Sequence, residues 1–476
     1  MSRKSNPTIL LFGGTGDLAR KKLYPSIYQL WQDDYVDEPN IIVLGRSALG
    51  REEFLNEAEP TKNITNGEGF EAFITYVQVD YEKDDQTYLR EAIEGIEQES
   101  CNRIYYLSLP TSAFDKATNV LERSGLLEGD GWDRVVFEKP FGHDQESAHA
   151  LNESITSVFE EEQIYRVDHY LGKELIQNLM IMRFANPIFE NIWNNEYVEN
   201  VQISFCENFG IGERAEYYDD TGAVKDVIQN HMMQVLSLCA MERPASRKAE
   251  DLNKEKIKVL QEIKDIPQEN IVLGQYTPGS INGNNVRGYR DEKDVPKDSQ
   301  TETYAALKLE IANERWEGVP FYVQAGKRLK RTYSEINIIF KKSPHADFLG
   351  CPEMQNNVLT IRMKPEEAIE LKFNARVPAP GFATQNVTMD YCHDCLYEGN
   401  TPDAYERIFY DVIKGDKSIF IPWNVIDTSW DIVDSIVEKD NQVHTYPSGV
   451  LIPDEARDLM QRDERRWIVD HERLHH

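Results

Sequence analysis

The chain has 476 residues, 40% of them hydrophobic and 10% aromatic, a globular composition with room for two or three domains. Its 52 Lys and Arg stand against 82 Asp and Glu, a net charge of −30. That excess repels a nucleic-acid backbone and so excludes a general nucleic-acid binder, and any anionic ligand needs a local basic pocket. The start, Met1 to Pro7, is polar and leads straight into a strand, which leaves no room for a signal peptide. No run of about 18 apolar residues follows. The expectation is a cytoplasmic protein with no membrane partner.

Thr8-Ile9-Leu10-Leu11-Phe12 is a short apolar run stopped by Gly13-Gly14, the pattern of a buried parallel strand. A helical pattern follows from Lys21 to Trp31. Further strands are expected at 41–44, 76–79, 104–107 and 134–137, alternating with helical stretches. This is the βαβ rhythm of an open, doubly wound, Rossmann-type sheet, placed at residues 1–167. From 168 to 476 the pattern changes to α+β. A helix is expected over 175–186 and a long apolar-striped one over 224–241. Strands are expected at 198–207, 303–312, 336–340, 358–363 and 369–373, forming a mainly antiparallel sheet. The charged stretch 248–269 reads as a surface helix, and 279–299 as a long loop.

The six cysteines are too scattered for a disulfide framework. Cys392 and Cys395 have CxxC spacing, but no second ligand pair lies nearby, so no metal site is expected.

Six clusters carry chemistry. Gly13, Gly14, Thr15, Gly16, Asp17 and Leu18 join the first strand to the first helix. Glycines there let a pyrophosphate approach the helix N-terminus, although the spacing is GxxGxxA rather than the usual GxGxxG and a plain glycine turn is the alternative. Arg46 follows the second strand, where NAD-specific sites usually carry an acid; an arginine suits the 2′-phosphate of NADP, or is a surface residue. Glu138-Lys139-Pro140 ends the fifth strand. Asp168, His169, Tyr170 and Lys173 cluster where the pattern changes; if a helix begins near Leu171, they gather at its positive end, where a phosphate would bind. His231 lies five residues after Asp226 on the apolar-striped helix. A lone helical His is commonly core, but its pKa also suits a base, and five residues is off the i,i+4 face. Finally, Lys327-Arg328-Leu329-Lys330-Arg331 places four cations in five residues, a basic loop or the landing place of an anion.

Taken together, these residues closely resemble the glucose-6-phosphate dehydrogenases. The likeness covers Gly-Gly-Thr-Gly-Asp-Leu-Ala at 13–19, Glu-Lys-Pro-Phe-Gly at 138–142 and Asp-His-Tyr-Leu-Gly-Lys-Glu at 168–174. It continues with Ile-Gln-Asn-His at 228–231, Trp-Glu-Gly-Val-Pro-Phe at 316–321 and two blocks after Ala404. The resemblance implies oxidation of glucose 6-phosphate at C1 with hydride transfer to NADP, and in some members also to NAD. It implies that His231 is the general base and Asp168 its orienting carboxylate. His169, Tyr170 and Lys173 match phosphate binders, and Glu207 and Asp226 match residues that bond the sugar hydroxyls. Lys139 lies between cofactor and sugar, Lys327 touches the sugar phosphate, and Gly13 to Leu18 with Arg46 match the cofactor site. The resemblance further implies a homodimer built through the C-terminal domain. One position departs from the pattern: where the family often carries a second cation, five residues after Lys327, this chain has Thr332. The alternatives are a dehydrogenase of another sugar phosphate, or an NADP-binding regulator without catalysis.

Overall fold

The structure is a computed structural model and describes residues 6–97, 102–345, 348, 354–378, 383–392 and 402–469. The chain forms two compact units. The first comprises Met1–Lys173, Pro244–Asn253 and Pro402–Asp427; the second comprises Glu174–Arg243, Lys254–Thr401 and Thr428–His476.

The first unit is built on six strands: β1 (Thr8–Phe12), β2 (Asn40–Gly45), β3 (Ile74–Gln78), β4 (Arg103–Leu107), β5 (Asp133–Phe137) and β6 (Ile164–Arg166). They lie in the order β3-β2-β1-β4-β5-β6, and every pair is parallel. All five residues of β1 and of β4 are buried, because helices cover both faces of such a sheet. The short β6 escapes the periodicity argument, since three residues are too few to show a pattern. The order reverses between β1 and β4, the kind of point at which doubly wound sheets bind ligands outside the carboxyl ends of their strands.

The segment Pro402–Asp427 returns to this first unit, a step that a single division of the chain at 167 does not contain. Its helix Ala404–Lys414 starts at Asp403, whose carboxylate accepts the Tyr405 N–H at 3.0 Å, a cap worth about 1 kcal/mol. Tyr405, Ile408, Phe409 and Val412 are buried, and Phe409 packs against Tyr106 of β4 in a tilted pair, 5.2 Å between ring centres. Burial of each such side chain contributes roughly 1.5–3 kcal/mol, which holds the helix to the unit.

The second unit carries a sheet of nine strands among the described residues. In chain order these are β7 (Val198–Cys206), β8 (Ile271–Thr277), β11 (Tyr304–Glu310), β12 (Pro320–Gly326), β13 (Tyr333–Phe340), β14 (Val358–Lys364), β15 (Ala368–Arg376), β16 (Thr384–Cys392) and β17 (Val443–Pro447). They run in the order β16-β15-β14-β13-β7-β12-β11-β8-β17. Most pairs are antiparallel, but β7 with β12 and β8 with β17 are parallel. The expected loop over 279–299 contains a small hairpin, β9 (Gly279–Ile281) with β10 (Asn284–Val286), too short to stand out among its Gly and Asn residues. The charged stretch is helical over Ala249–Gln261.

The long helix read over 224–241 is two segments. Val224–Met232 is a π-helix and Met233–Ala240 an α-helix. Among the cysteines, Cys206 and Cys239 are buried free thiols, and Cys392 is disulfide-bonded. Cys101, Cys351 and Cys395 lie outside the described residues.

Candidate functional site

In the first unit the parallel sheet brings distant residues to one edge. Gly13 to Asp17 follow the carboxyl end of β1, Arg46 that of β2, Glu138 and Lys139 that of β5, and Asp168 that of β6. Since all six strands run one way, all these residues share that edge. Gly13 takes φ +75°, and a Cβ on it would lie 2.1 Å from the Ser108 carbonyl oxygen, so only glycine fits against the end of β4. The Gly16 N–H closes the turn on the Gly13 carbonyl at 2.9 Å. Helix begins at Asp17, and Gly16 and Asp17 are exposed. Asp17 pairs with Lys21 at 2.7 Å, and that hydrogen bond lowers its pKa. An exposed glycine turn feeding a helix N-terminus at the carboxyl edge of the sheet fits a dinucleotide pyrophosphate. Arg46 is exposed, and its guanidinium has no ion-pair partner among the described residues, which leaves it available for a 2′-phosphate.

After β6 the expected helix over 175–186 is present, and the condition of a helix start near Leu171 is not met. Residues 169–172 form a turn, and helix begins only at Glu174. Asp168 is buried, and its carboxylate accepts the Tyr170 N–H at 2.9 Å, which organises the turn. His169 packs against Tyr170 and faces Tyr405 in parallel, at 6.4 Å between ring centres. The Lys173 ammonium sits 4.0 Å from the Tyr170 ring centre. Asp168, His169, Tyr170 and Lys173 are thus one local cluster, held by a turn rather than by a helix end.

Glu138 beside it draws no role from the sequence. It is buried and accepts from Tyr106 at 2.6 Å and from Tyr405. Burial pushes its carboxyl up to about 7, against the lowering effect of both tyrosines and of Lys139. The two tyrosines come from β4 and from the returning helix, so no sequence spacing announces the arrangement.

In the second unit the parallel register of β7 and β12 does the assembling. Cys206 pairs with Gly326, so Glu207 and Lys327 emerge together at the same strand ends. Their side chains form an ion pair at 2.7 Å. Lys327 is buried, with its ammonium 5.2 Å from the Tyr218 ring centre and 5.6 Å from that of Phe209. Val224–Met232 packs on β7 and β12 and carries Asp226 and His231, both buried. The i→i+5 hydrogen bonding of a π-helix widens each turn, so residues five apart no longer fall on different sides as they do in an α-helix. The sequence argument against pairing Asp226 with His231 assumed α geometry. Asp226 also accepts from Tyr217 at 3.3 Å and lies 3.7 Å from Arg214, partners that the sequence reading missed.

The basic cluster after β12 is largely spent on the protein itself. Arg328 pairs with Glu292 at 2.9 Å, and Arg331 donates to the Val469 carbonyl. Lys330 is exposed. The Thr332 hydroxyl donates to Asn208 Oδ1 at 2.9 Å and accepts the Asn208 N–H at 3.0 Å. Among the described residues, no helix is long and apolar enough to cross a membrane.

Comparison with known proteins covers almost the whole chain. Residues 10–178 match the family described as glucose-6-phosphate dehydrogenase, NAD binding domain, and residues 180–468 match its C-terminal domain. A glucose-6-phosphate 1-dehydrogenase of Bacillus subtilis is 39% identical, over 98% of this chain and 99% of its own. One of Chlamydia pneumoniae is 39% identical over 98% and 96%. A solved structure described as glucose-6-phosphate dehydrogenase in complex with its substrate glucose-6-phosphate superposes with a TM-score of 0.90, at 34% identity, over 99% of this chain and 100% of that one.

Proposed function

We infer the residue roles below from the premise that this chain belongs to the glucose-6-phosphate dehydrogenase family. It is an oxidoreductase that converts glucose 6-phosphate to 6-phosphoglucono-1,5-lactone with a nicotinamide cofactor. The observation that carries the assignment of roles is the arrangement in the second unit. A buried histidine sits on a helix packed against two parallel strands whose ends present a carboxylate–ammonium pair.

His231 accepts the proton of the C1 hydroxyl as the C1–H bond breaks, and the C1–O bond becomes the lactone carbonyl. Asp168 orients the imidazole and stabilises its charged form, as a carboxylate does in base–orienter pairs. Glu207 and Asp226 hold the sugar hydroxyls. Lys327 meets the anionic substrate, and His169, Tyr170 and Lys173 bind its phosphate. Lys139 lies between cofactor and sugar. The turn from Gly13 to Leu18 holds the pyrophosphate. The nicotinamide, when bound, supplies the hydride acceptor.

Arg46 selects NADP over NAD, because a cation at the end of β2 suits the 2′-phosphate and no acid stands at that strand end to hold a ribose hydroxyl. Absorbance of the reduced cofactor, followed with glucose 6-phosphate and each cofactor in turn, tests both reaction and preference. Wild type is expected to favour NADP. Arg46→Ala raises the KM for NADP by about tenfold or more and leaves NAD unaffected, as expected for a lost charged hydrogen bond of roughly 1.5–3 kcal/mol. An equal effect on both cofactors would remove Arg46 from the selection.

Thr332 weakens phosphate recognition relative to relatives that carry a cation there. Its hydroxyl is engaged with Asn208, and Arg331 is held by Val469. Thr332→Lys lowers the KM for glucose 6-phosphate severalfold, a gain that exceeds the lost hydrogen bonds at about 1 kcal/mol. An unchanged KM rejects the idea. The reading also places the enzyme in the cytoplasm as a homodimer, joined through the large sheet. Solution scattering is expected to return twice the 55.0 kDa chain mass, and a monomer mass rejects it.

A further inference from the structure

We propose that Glu302 is a positioning residue for the proton-transfer helix, fixing Asp226 and His231 relative to Lys327. The inference rests on the roles assigned to those three residues above, and every contact behind it lies within the second unit.

The helix that carries Asp226 and His231 does not grow smoothly out of the one before it. Ala215–Ala223 is broken at Gly222, which takes φ 65° and ψ −175°, and the π-helix starts two residues later at Val224. The first N–H groups of a helix have no partner within it. Glu302 supplies partners to the two residues that follow the break. Its carboxylate accepts the Val224 N–H at 3.1 Å, and its backbone carbonyl accepts the Ala223 N–H at 3.1 Å. The carboxyl also fills the space that the missing side chain of Gly222 leaves. A Cβ on Gly222 would lie 2.3 Å from Oε1, 2.5 Å from Cδ and 2.6 Å from Oε2 of Glu302. Glycine is required there by both the backbone angle and the acid.

The next residue reaches the other side of the substrate machinery. The Thr303 carbonyl accepts the Lys327 N–H at 2.9 Å. Its hydroxyl meets the Tyr446 hydroxyl at 2.9 Å, and that hydroxyl donates to the Lys327 carbonyl at 2.8 Å. Just before it, the Thr301 hydroxyl donates to the Asp219 carbonyl at 2.6 Å, in the helix ahead of the break. Thr301, Glu302 and Thr303 therefore form one strap. It holds the entry to the base helix at one end and the backbone of Lys327 at the other. Among the described residues, the Glu302 carboxylate hydrogen-bonds the helix start and not the side chain of Asp226, His231 or Lys327. It acts on them through the helix start, whose first N–H groups it accepts.

The experiment compares wild type with Glu302→Gln, Glu302→Asp, Glu302→Ala and Gly222→Ala in the full-length enzyme, with glucose 6-phosphate and NADP as substrates. Glutamine keeps an acceptor oxygen at the same reach, so kcat stays within about threefold. Aspartate and alanine withdraw the acceptor, and the Gly222→Ala methyl displaces it. Each of these three lowers kcat on the order of 10- to 100-fold, since small displacements of a base are costly. Their KM for NADP stays at the wild-type value. A folded Glu302→Asp with wild-type kcat overturns the proposal, and so does Glu302→Gln as impaired as Glu302→Asp. If Glu302→Ala does not fold, as judged by circular dichroism, the contrast between Gln and Asp decides. A wild type without sugar-phosphate-dependent reduction overturns the functional reading itself. Loss of the contrast in an active wild type overturns only the role of Glu302.

Discussion

His231→Asn lowers kcat by roughly 10²–10⁴, the range that a positioned general base contributes, and leaves the KM for glucose 6-phosphate within a few-fold of wild type. The hydroxyl proton must leave as the hydride does, and an amide has no affinity for it near neutral pH. Asparagine is polar and close in size at the ring's near edge, so the buried site on the Val224–Met232 helix loses its base without being emptied. Proton affinity gives a second signature. Wild-type kcat/KM falls on the acid side as the base becomes protonated, whereas the variant keeps its low rate with no such limb. Stopped-flow or steady-state absorbance of the reduced cofactor across pH measures both. A variant that retains kcat within threefold would show that the proton goes elsewhere.

Lys327→Met moves the opposite parameter. The thioether chain keeps the apolar stem against Phe209 and Tyr218 but removes the ammonium that pairs with Glu207 at 2.7 Å. Two losses combine. The sugar phosphate loses a charged contact worth about 1.5–3 kcal/mol, and Glu207 is left as a carboxylate without its cation in a partly buried place. In a chain of net charge −30 the site also loses one of the few positive groups that offset the surrounding field. The KM for glucose 6-phosphate is expected to rise by one to two orders of magnitude, kcat to fall less than tenfold, and the KM for NADP to stay unchanged. Rising ionic strength narrows the gap between wild type and variant, because screening weakens the attraction that only wild type has. An unchanged KM for the sugar phosphate would place Lys327 outside the binding site and reduce the ion pair to a structural role.

The cofactor end of the molecule was readable as a string. A continuous apolar run, Ile9 to Phe12, followed by Gly13 and Gly14, states a buried strand and a tight turn within eight residues. Arg46 was legible as the residue after the second such run. The cluster from Asp168 to Lys173 was legible too, although as a turn its geometry differs from the helix start the spacing invited. These features are local: strand, turn and side chain are set by neighbours a few positions apart, and the parallel sheet then carries each strand end to a common edge.

Only the tertiary structure decided what lies far apart in the chain. Glu207 and Lys327 are 120 residues apart and meet because β7 and β12 pair in parallel with Cys206 opposite Gly326. Register is a property of the sheet, and no periodicity within either strand specifies it. The return of Tyr405 to Glu138 depends on where the apolar face of the 404–414 helix finds cover, which its own pattern does not reveal. The four cations from Lys327 to Arg331 looked like one basic patch. In the fold, Arg328 goes to Glu292 and Arg331 to the Val469 carbonyl, since long cationic side chains follow the partners that packing supplies. The π-helical turn at Val224–Met232, with Glu302 at its entrance, is the clearest case. The sequence determined by itself that a histidine and an aspartate share a buried helix. The π-helical hydrogen bonding of that helix, and the carboxylate that accepts its first N–H from 78 residues downstream, belong to the fold.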